Sequence, residues 1–328
     1  MQPLVSICCT AYNHEKYLAQ TLDSFLSQRC DFPFEILIHD DVSTDRTADI
    51  IREYAARYPE IIRPMFQTEN QYSKGVPINE TFNFPRARGK YIALCEGDDF
   101  WCDPEKLQRQ ISYMESDPGC TFSFTNGYVH DEAGVNPDRP FLPYYENEKP
   151  LFSGGSRVFT LGEIARINFI PTASFVFRVD ALRSLPSVFT ERECQHGDLR
   201  MKLFLTAAGH AWYEHVYGCV YRENVSGSAM QIWKKEKRDQ LYRRCRSVVD
   251  MVNDVDEYSA HAASADLQTV KDHYLWVMAH NAPDLRSLMS GDVGRIWRTL
   301  PVKERLRCAV RLMLPQALAA KLGELTAR

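Results

Sequence analysis

The run VSICCTAYNHEKYLAQTLDSFLSQ, residues 5–28, decides the fold class of this chain. Its first residues are apolar and stop at the polar sequence AYNHE, which is typical of a buried central strand. Apolar residues then recur at the spacing of a helix face, at Tyr17, Leu18, Leu22, Phe25 and Leu26. The run therefore predicts a strand followed by a helix, the unit from which parallel sheets are built.

The same alternation continues through the first hundred residues. Further strands are predicted at 34–39, 61–66 and 90–95, with a helix after the first of these three. This order indicates an α/β protein whose parallel sheet binds its ligands beyond the carboxyl ends of the strands. Three polar turns each come just after a strand, so we expect them to meet at one edge of the sheet.

The rest of the chain divides into a mixed middle and a helical end. Helices are predicted at 106–114 and 198–208, strands at 121–130, 169–178 and 212–221, and a long loop at 131–156. From about residue 232 onward only helical periods remain. We therefore expect two domains, at 1–229 and 230–328.

Composition narrows the class of protein. The 328 residues are 45% hydrophobic and 25% charged, with a formal net charge of -4, so nucleic acid is a poor default partner. The ten cysteines form no CxxC pair and are expected to be reduced thiols. With neither a signal peptide nor an apolar run of about 20 residues, we expect a cytoplasmic protein.

The first polar turn is Thr10-Ala11-Tyr12-Asn13, at the end of the first predicted strand. A tyrosine in this position could stack on a nucleotide base while backbone groups read the edge of the base. A strand-to-helix turn with an asparagine cap explains the same residues, and both interpretations stay open.

The second polar turn is DDVSTD, residues 40–45. Carboxylates at a strand end can accept hydrogen bonds from a base or a ribose. Helix capping accounts for Thr44 and Asp45, since hydroxyl and acidic groups stabilise a helix N-terminus. Capping leaves Asp40 and Asp41 unexplained, which keeps this pair as a candidate ligand-binding site.

The third polar turn, EGDD at residues 96–99, is the most acidic. Three carboxylates within four residues repel one another unless they are solvated or bridged by a cation. Oxygen ligands are those that Mg²⁺ or Mn²⁺ prefers, with water and diphosphate oxygens completing the shell. A metal-binding turn is therefore expected, and an ordinary acidic surface turn is the alternative.

Together these segments resemble family 2 glycosyltransferases. The run at 5–28 looks like the opening strand and helix of the family, and IHDDVSTDRTADII (38–51) is similar to its aspartate-rich turn, with Val42 where glycine is usual. ARGKYIALCEGDDFW (87–101) resembles the approach to its metal-binding motif. The resemblance covers residues 4 to about 228, with three motifs in the correct order.

The resemblance implies the GT-A fold, a Rossmann-like and mostly parallel sheet flanked by helices, here with a helical C-terminal extension. It also implies a nucleoside-diphosphate sugar as donor, with Thr10, Tyr12 and Asp41 on the base and ribose. The full set of implied donor-binding residues is Thr10, Ala11, Tyr12, Asn13, Asp41, Gly97, Asp98 and Arg222. Asp99, together with Asp98, would ligate the divalent metal, Mn²⁺ or Mg²⁺.

An inverting transferase also needs a general base that takes the proton of the acceptor hydroxyl. The family supplies this base from an acidic pair that begins a later helix, and Asp198 stands there with Gly197 in place of the partner acid. A helix N-cap is the alternative for Asp198. Trp101 and His196 are candidate acceptor contacts, with core packing and a solvated loop as their alternatives. An ion pair is the alternative to a phosphate contact for Arg222.

The end of the chain carries basic and apolar residues at helical spacing. VKERLRCAVRLMLPQALAAKLGEL places Leu306, Val310 and Leu314 beside arginines, a pattern that suits an amphipathic helix on an anionic membrane surface. Packing on the catalytic domain or on a second subunit of a homo-oligomer is the alternative. A peripheral location at the inner face of the membrane would follow from the first interpretation.

The sequence therefore predicts an inverting glycosyltransferase of surface polysaccharide synthesis. The donor is expected to be a UDP-sugar, and the resemblance implies a glycan or lipid-linked acceptor. Two rivals remain open. A nucleotidyltransferase would carry a glycine-rich, basic phosphate loop after its first strand, and AYNHEKY has none. A non-catalytic module that binds nucleotide sugars or glycans would be favoured by loss of Asp98, Asp99 or Asp198, and all three are present.

Overall fold

The computed structural model describes residues 2–192, 194–225 and 236–313. The strands are β1 (Val5–Ala11), β2 (Phe34–Asp40), β3 (Ile62–Phe66), β4 (Tyr91–Leu94), β5 (Phe100–Trp101), β6 (Cys120–Asp131), β7 (Arg139–Pro140), β8 (Arg157–Phe159), β9 (Val176–Arg178) and β10 (His210–Glu223). The first eight helices are α1 (Leu18–Leu26), α2 (Thr47–Arg57), α3 (Lys106–Ser116), α4 (Lys149–Phe152), α5 (Leu161–Arg166), α6 (Val179–Ser184), α7 (Val188–Glu191) and α8 (Gly197–Ala207). The remaining helices are α9 (Arg238–Tyr258), α10 (Ser264–His280), α11 (Leu285–Met289), α12 (Gly291–Thr299) and α13 (Val302–Met313).

One sheet contains all of these strands. Its order is β3-β2-β1-β4-β9-β6-β10-β5, with β7 against β6 and β8 against β10. Within the portion β3-β2-β1-β4, each strand is parallel to its neighbours. Strand β9 is antiparallel to both β4 and β6, while β6 and β10 are parallel. The predicted α/β class is confirmed, and an antiparallel strand divides the two parallel portions.

Burial explains why the opening run is so apolar. Val5, Ile7 and Cys9 are fully buried on one face of β1, in a cluster that includes Leu22 and Phe25 of α1. Each large side chain that is removed from water in this way contributes about 1.5–3 kcal/mol. The apolar face of helix α1 and the buried face of strand β1 are therefore parts of one core.

Two predicted elements between residues 131 and 178 differ from the structure. The predicted loop at 131–156 contains β7 and α4. The strand predicted at 169–178 is reduced to β9, because Thr172–Ser174 forms a 3₁₀ turn directly after Pro171. Proline lacks a backbone N–H for a strand ladder, which accounts for the shorter strand.

The chain forms two compact units. One contains the residues up to Thr190 together with Gly197–Val225, and the other contains Glu191–His196 with the residues after Val225. The predicted boundary between 229 and 230 falls in 226–235, outside the described residues. Among the residues that the structure describes, no helix is long and apolar enough to cross a membrane.

Candidate functional site

The three polar turns meet at the carboxyl ends of the parallel strands, as predicted. The backbone N–H of Gly97 donates to the carbonyl of Thr10 at 2.8 Å, and that of Asp41 donates to Ala11 at 3.0 Å. We call these turns, residues 10–13, 40–45 and 96–99, the strand-end cluster.

Asn13 joins the first turn to the second. Its backbone has a positive φ of 57°, a conformation that asparagine tolerates better than most residues. Its side-chain oxygen accepts the N–H of Thr44 at 2.7 Å, and its own N–H donates to Ser43 Oγ at 2.9 Å. Tyr12, beside it, is 44% exposed and free of the core. Asn13 thus holds the turn while Tyr12 presents an open ring.

Asp41 is a buried carboxylate that accepts two backbone hydrogen bonds. Its oxygens accept the N–H groups of Gln71 at 2.8 Å and Tyr72 at 2.9 Å. His39 lies below it, with Nε2 3.7 Å from Oδ1 of Asp41, and burial lowers the pKa of this histidine. The carboxylate therefore fixes the segment around residues 71 and 72 beside the cluster.

The acidic turn brings three like charges close together. Burial and the charges of Asp98 and Glu96 raise the pKa of Asp99 well above its usual range. Burial, with the charges of Asp98 and Asp198, raises the pKa of Glu96 to about 7. A cation at this point would stabilise the charged forms of all three acids of the turn.

Gly97 allows this turn to close against the first one. A Cβ at this position would lie 2.8 Å from Nδ1 of His14 and 3.2 Å from the Thr10 carbonyl. Nε2 of His14 also lies 3.8 Å from Asp98. His14 is part of the quoted opening run, and its contact with the acidic turn was missed because the two are far apart in sequence.

Arg222 holds the acidic turn through hydrogen bonds. Its backbone N–H donates to Oδ1 of Asp99 at 2.8 Å, and its guanidinium donates to the carbonyl of Asp98. The guanidinium also forms an ion pair with Glu132 at 3.0 Å and bonds to Gln20. The ion-pair alternative for Arg222 is therefore observed, and a phosphate contact stays a prediction.

Asp198 lies in the first turn of α8 and acts electrostatically on the acidic turn through Glu96. Lys202 follows it by one helical turn and is buried, with its ammonium bonded to the carbonyls of Ile167 and Asn168. Burial lowers the pKa of Lys202 to about 8, although the charges of Asp198 and Glu148 oppose this shift. Sequence analysis missed Lys202 and Glu148, because nothing local marks a buried charge.

The two candidate acceptor residues have different surroundings. Trp101 is 3% exposed, and its indole N–H donates to the carbonyl of Ala173 at 2.7 Å, so it packs in the core. His196 belongs to the second compact unit, which contains Glu191–His196 and the residues after Val225 and which we call the helical unit. Its Nε2 lies 3.0 Å from a guanidinium nitrogen of Arg244. The core-packing alternative for Trp101 is therefore observed, and an acceptor contact of His196 stays a prediction.

The carboxylates of the acidic turn suit a shared rather than a closed metal site. Within the described ranges, no group of three His, Cys, Asp or Glu side chains has the arrangement of a complete metal site. Mg²⁺ in nucleotide enzymes is commonly held by one or two carboxylates together with phosphate oxygens. Asp98 and Asp99 fit that arrangement, and a cation would offset the repulsion that raises the pKa of Asp99.

A protein-family model described as glycosyl transferase family 2 matches residues 6–180. An uncharacterized protein of Mycobacterium tuberculosis is 41% identical over 174 residues, which are 53% of this chain and 46% of that protein. The UDP-Glc:alpha-D-GlcNAc-diphosphoundecaprenol beta-1,3-glucosyltransferase of Escherichia coli is 35% identical over 144 residues, 43% of this chain and 54% of that protein. The matches thus span about half the length of these curated relatives.

Two solved structures have the same fold. TarS of S. aureus, residues 1–349 in complex with UDP-GlcNAc, has a TM-score of 0.58 at 16% identity, covering 92% of this chain and 77% of that chain. A mannosyltransferase of Pyrobaculum calidifontis in complex with GDP-Man and Mn²⁺ has a TM-score of 0.51 at 16% identity, covering 100% of this chain and 88% of that chain. Likeness at this identity extends to the fold alone.

Proposed function

The chain belongs to glycosyl transferase family 2, and we propose that it moves a sugar from a UDP-sugar to a glycan or lipid-linked acceptor of a surface polysaccharide. The observation that carries the proposal is the meeting of three strand-end turns around the acidic residues 96–99. This arrangement offers donor-binding groups at the sheet edge where ligands of parallel sheets bind.

The strand-end cluster supplies the donor-binding groups. Tyr12 has an exposed ring for a base, and Asp41 lies at the neighbouring strand end with the backbone of residues 71 and 72 fixed beside it. The uridine assignment is supported by TarS, whose structure contains UDP-GlcNAc, and by the UDP-Glc-dependent relative from Escherichia coli.

Asp98 and Asp99 would hold the divalent metal, Mn²⁺ or Mg²⁺. When bound, the metal neutralises charge that develops on the departing nucleoside diphosphate. The mannosyltransferase that shares the fold was solved with Mn²⁺, which supports this choice. Arg222 orients Asp99 by donating its backbone N–H to that carboxylate at 2.8 Å.

Asp198 is the proposed general base. The acceptor hydroxyl attacks the anomeric carbon, the bond from that carbon to the diphosphate oxygen breaks, and the hydroxyl proton passes to the Asp198 carboxylate. Direct displacement inverts the anomeric configuration. Lys202, one turn later in α8, holds the helix against the carbonyls of Ile167 and Asn168, and so keeps Asp198 in place.

Helix α13 supports a peripheral membrane contact. Val302, Leu306 and Val310 are 62%, 61% and 48% exposed on this helix, while Cys308 is buried in the helical unit. Leu314 of the predicted stripe lies outside the described residues. The apolar stripe together with Lys303 and Arg307 suits an anionic lipid surface. Sedimentation with anionic vesicles tests it, and equal binding by Leu306→Asp would contradict it.

The transfer itself is tested by product release. Purified full-length protein is supplied with UDP-, GDP- and dTDP-sugars, Mn²⁺ and a panel of glycan acceptors, and released nucleoside diphosphate is measured. We expect release from the UDP-sugar and not from the GDP- or dTDP-sugar. The release should require an acceptor and should stop when the metal is chelated. Binding of nucleotides without any release would favour the non-catalytic module instead.

A further inference from the structure

An aromatic surface adjoins the acidic turn on the side of helix α8. We call it the aromatic face, and its members are Phe141, Tyr144, Tyr145, Phe169 and Tyr221. Phe141 lies at its centre, with ring centroids at 5.4 Å from Phe169, 5.5 Å from Tyr221 and 5.7 Å from Tyr144. The five rings therefore form one continuous cluster drawn from three separate segments of chain.

Two rings of this face are open to solvent. Tyr144 is 40% exposed and Tyr145 is 51% exposed, whereas Phe141 beneath them is 1% exposed. The two exposed rings are nearly perpendicular, at 88°, with centroids 5.0 Å apart. Exposed aromatic rings backed by a buried layer present flat apolar surfaces with polar tips. The C–H face of a pyranose ring is complementary to such a surface.

Glu148 fixes the exposed tyrosines. It is buried, and one carboxylate oxygen accepts the backbone N–H groups of Tyr144 at 2.8 Å and Tyr145 at 3.2 Å. Its other oxygen accepts the N–H of Asn168 at 2.8 Å, next to Phe169. The surface is thus organised before any ligand arrives, which reduces the entropy that binding would cost.

The aromatic face lies between the proposed metal ligand Asp99 and the helix that carries the proposed general base Asp198. Tyr221 precedes Arg222, whose backbone N–H binds Asp99 at 2.8 Å. On the other side, the carbonyl of Asn168 accepts from Lys202 at 3.2 Å, one helical turn after Asp198. An acceptor hydroxyl that faces the donor sugar and reaches Asp198 would bring its own ring to this surface.

We propose that the aromatic face binds a pyranose unit of the acceptor, which stacks on Tyr144 and Tyr145, with Glu148 as a positioning residue. The assignment rests on the proposed function, since it names the acceptor subsite of that transfer. The shared chemistry is the pyranose ring, whether it ends a free glycan or a lipid-linked one.

The test is saturation-transfer NMR on the full chain with UDP and diamagnetic Mg²⁺ present. The probes are methyl pyranosides of glucose, galactose and N-acetylglucosamine, with octyl β-D-glucopyranoside as the probe that carries an apolar tail. The variants are Tyr144→Ala, Tyr145→Ala and Tyr145→Phe. Tyr217→Ala is the matched control, because Tyr217 is 38% exposed and stacks instead on Tyr128 at 4.4 Å.

We expect pyranoside affinity to fall about three- to tenfold in both alanine variants and to persist in Tyr145→Phe and Tyr217→Ala. Equal affinity of methyl and octyl glycosides would indicate a free glycan end, and tighter octyl binding with the same tyrosine dependence would indicate a lipid-linked one.

Two results would overturn the inference: equal pyranoside binding by all variants, or binding of the octyl glycoside alone. UDP binding is measured first on the same samples, and its absence in the wild type would overturn the proposed function itself. Retained UDP binding with pyranoside binding that is insensitive to Tyr144 and Tyr145 would overturn the subsite alone.

Discussion

Two buried carboxylates, Glu35 and Asp99, lie at opposite ends of the parallel strands and have opposite surroundings. Glu35, near the amino end of β2, accepts from Ser6 and Arg88 and lies 3.2 Å from Arg63. Burial raises its pKa, but the hydrogen bonds from Arg88 and Ser6 outweigh burial and lower it overall. At the carboxyl ends, the acidic neighbours of Asp99 act together with burial and raise its pKa.

The difference separates a structural charge from a functional one. A buried carboxylate with cationic partners stabilises the fold, whereas crowded carboxylates cost stability and persist where a ligand compensates for them. We therefore expect the charge at the amino ends of the sheet to contribute to stability, and we propose that the carboxyl ends carry the chemistry.

The largest expected effect is on turnover. Asp198→Asn should reduce kcat about 10²–10⁴-fold, because the amide cannot accept the acceptor proton. UDP affinity should stay within about twofold, since Asp198 lies on α8 and outside the strand-end cluster. Kinetics of nucleotide release provide the measurement.

Asp180→Asn is the matched control for this variant. Asp180 is an exposed acid in the first turn of α6, and its variant should keep full activity. If Asp198→Asn turned over substrate as fast as Asp180→Asn, Asp198 would not be the general base.

The next effect is on stability and concerns the ion-pair bridge between α8 and Glu80, in the short helical segment Asn79–Asn83. Glu80 and Arg200 form a 2.7 Å ion pair with side chains 13% and 4% exposed. Glu80→Gln should lower the free energy of unfolding by about 1.5–3 kcal/mol, because the hydrogen bond from a buried guanidinium to a charged carboxylate is lost. Urea unfolding measures the change.

An exposed pair gives the comparison for this variant. Asp49 and Arg52 lie 2.8 Å apart at 61% and 59% exposure, so Asp49→Asn should cost only about 0–1 kcal/mol. Similar costs for the two variants would show that the bridge to α8 adds no more than a surface pair.

A third prediction concerns pH and the amino ends of the strands. Glu35→Gln should destabilise the protein by about 1–3 kcal/mol near neutral pH, since a charged, hydrogen-bonded group is lost. The folded-state pKa of Glu35 is lowered, so its contribution is present above the unfolded pKa of about 4.3 and is lost as pH falls through the folded value.

Unfolding free energies at a series of acidic pH values check this prediction. The gap between wild type and Glu35→Gln should shrink as pH falls below about 4. A gap that widened as the pH falls would contradict this prediction. It would indicate that the pKa of Glu35 is raised in the folded state, like that of Asp99 at the other end of the strands.

The smallest effect concerns Asn13, which joins two turns of the strand-end cluster. Asn13→Ala should cost about 1–2 kcal/mol, because it loses the bond to Thr44 and must adopt a positive φ without a favourable side chain. Asn13→Gly, which tolerates that φ, should cost less by denaturant titration. Equal costs would indicate that the conformation of the turn contributes nothing.

The meeting of the turns in the strand-end cluster could be predicted from sequence because their residues are local. Each polar turn directly follows an apolar strand, so order along the chain fixes their position in a parallel sheet. The core run at 5–28 was predictable for the same reason, since burial imposes its spacing.

The aromatic face could not be predicted in this way. Phe141, Glu148, Phe169 and Tyr221 come from segments far apart in sequence and meet only through β6, β10 and α8. The short strands β5 and β8 also escaped prediction, because two or three residues carry no periodicity. For Trp101 the sequence left both an acceptor contact and core packing open, and its antiparallel pairing with Cys219, which lies far away in sequence, places it in the sheet.

The most direct test of the account is calorimetric titration of UDP, with and without Mn²⁺, on wild type and on Asp99→Ala. We expect binding that depends on Mn²⁺ in the wild type and weakens by more than about tenfold in the variant, with Glu35→Gln binding as wild type. Failure of the folded wild type to bind UDP with Mn²⁺ present, or equal binding by Asp99→Ala, would contradict the assignment of the carboxyl ends as the donor site.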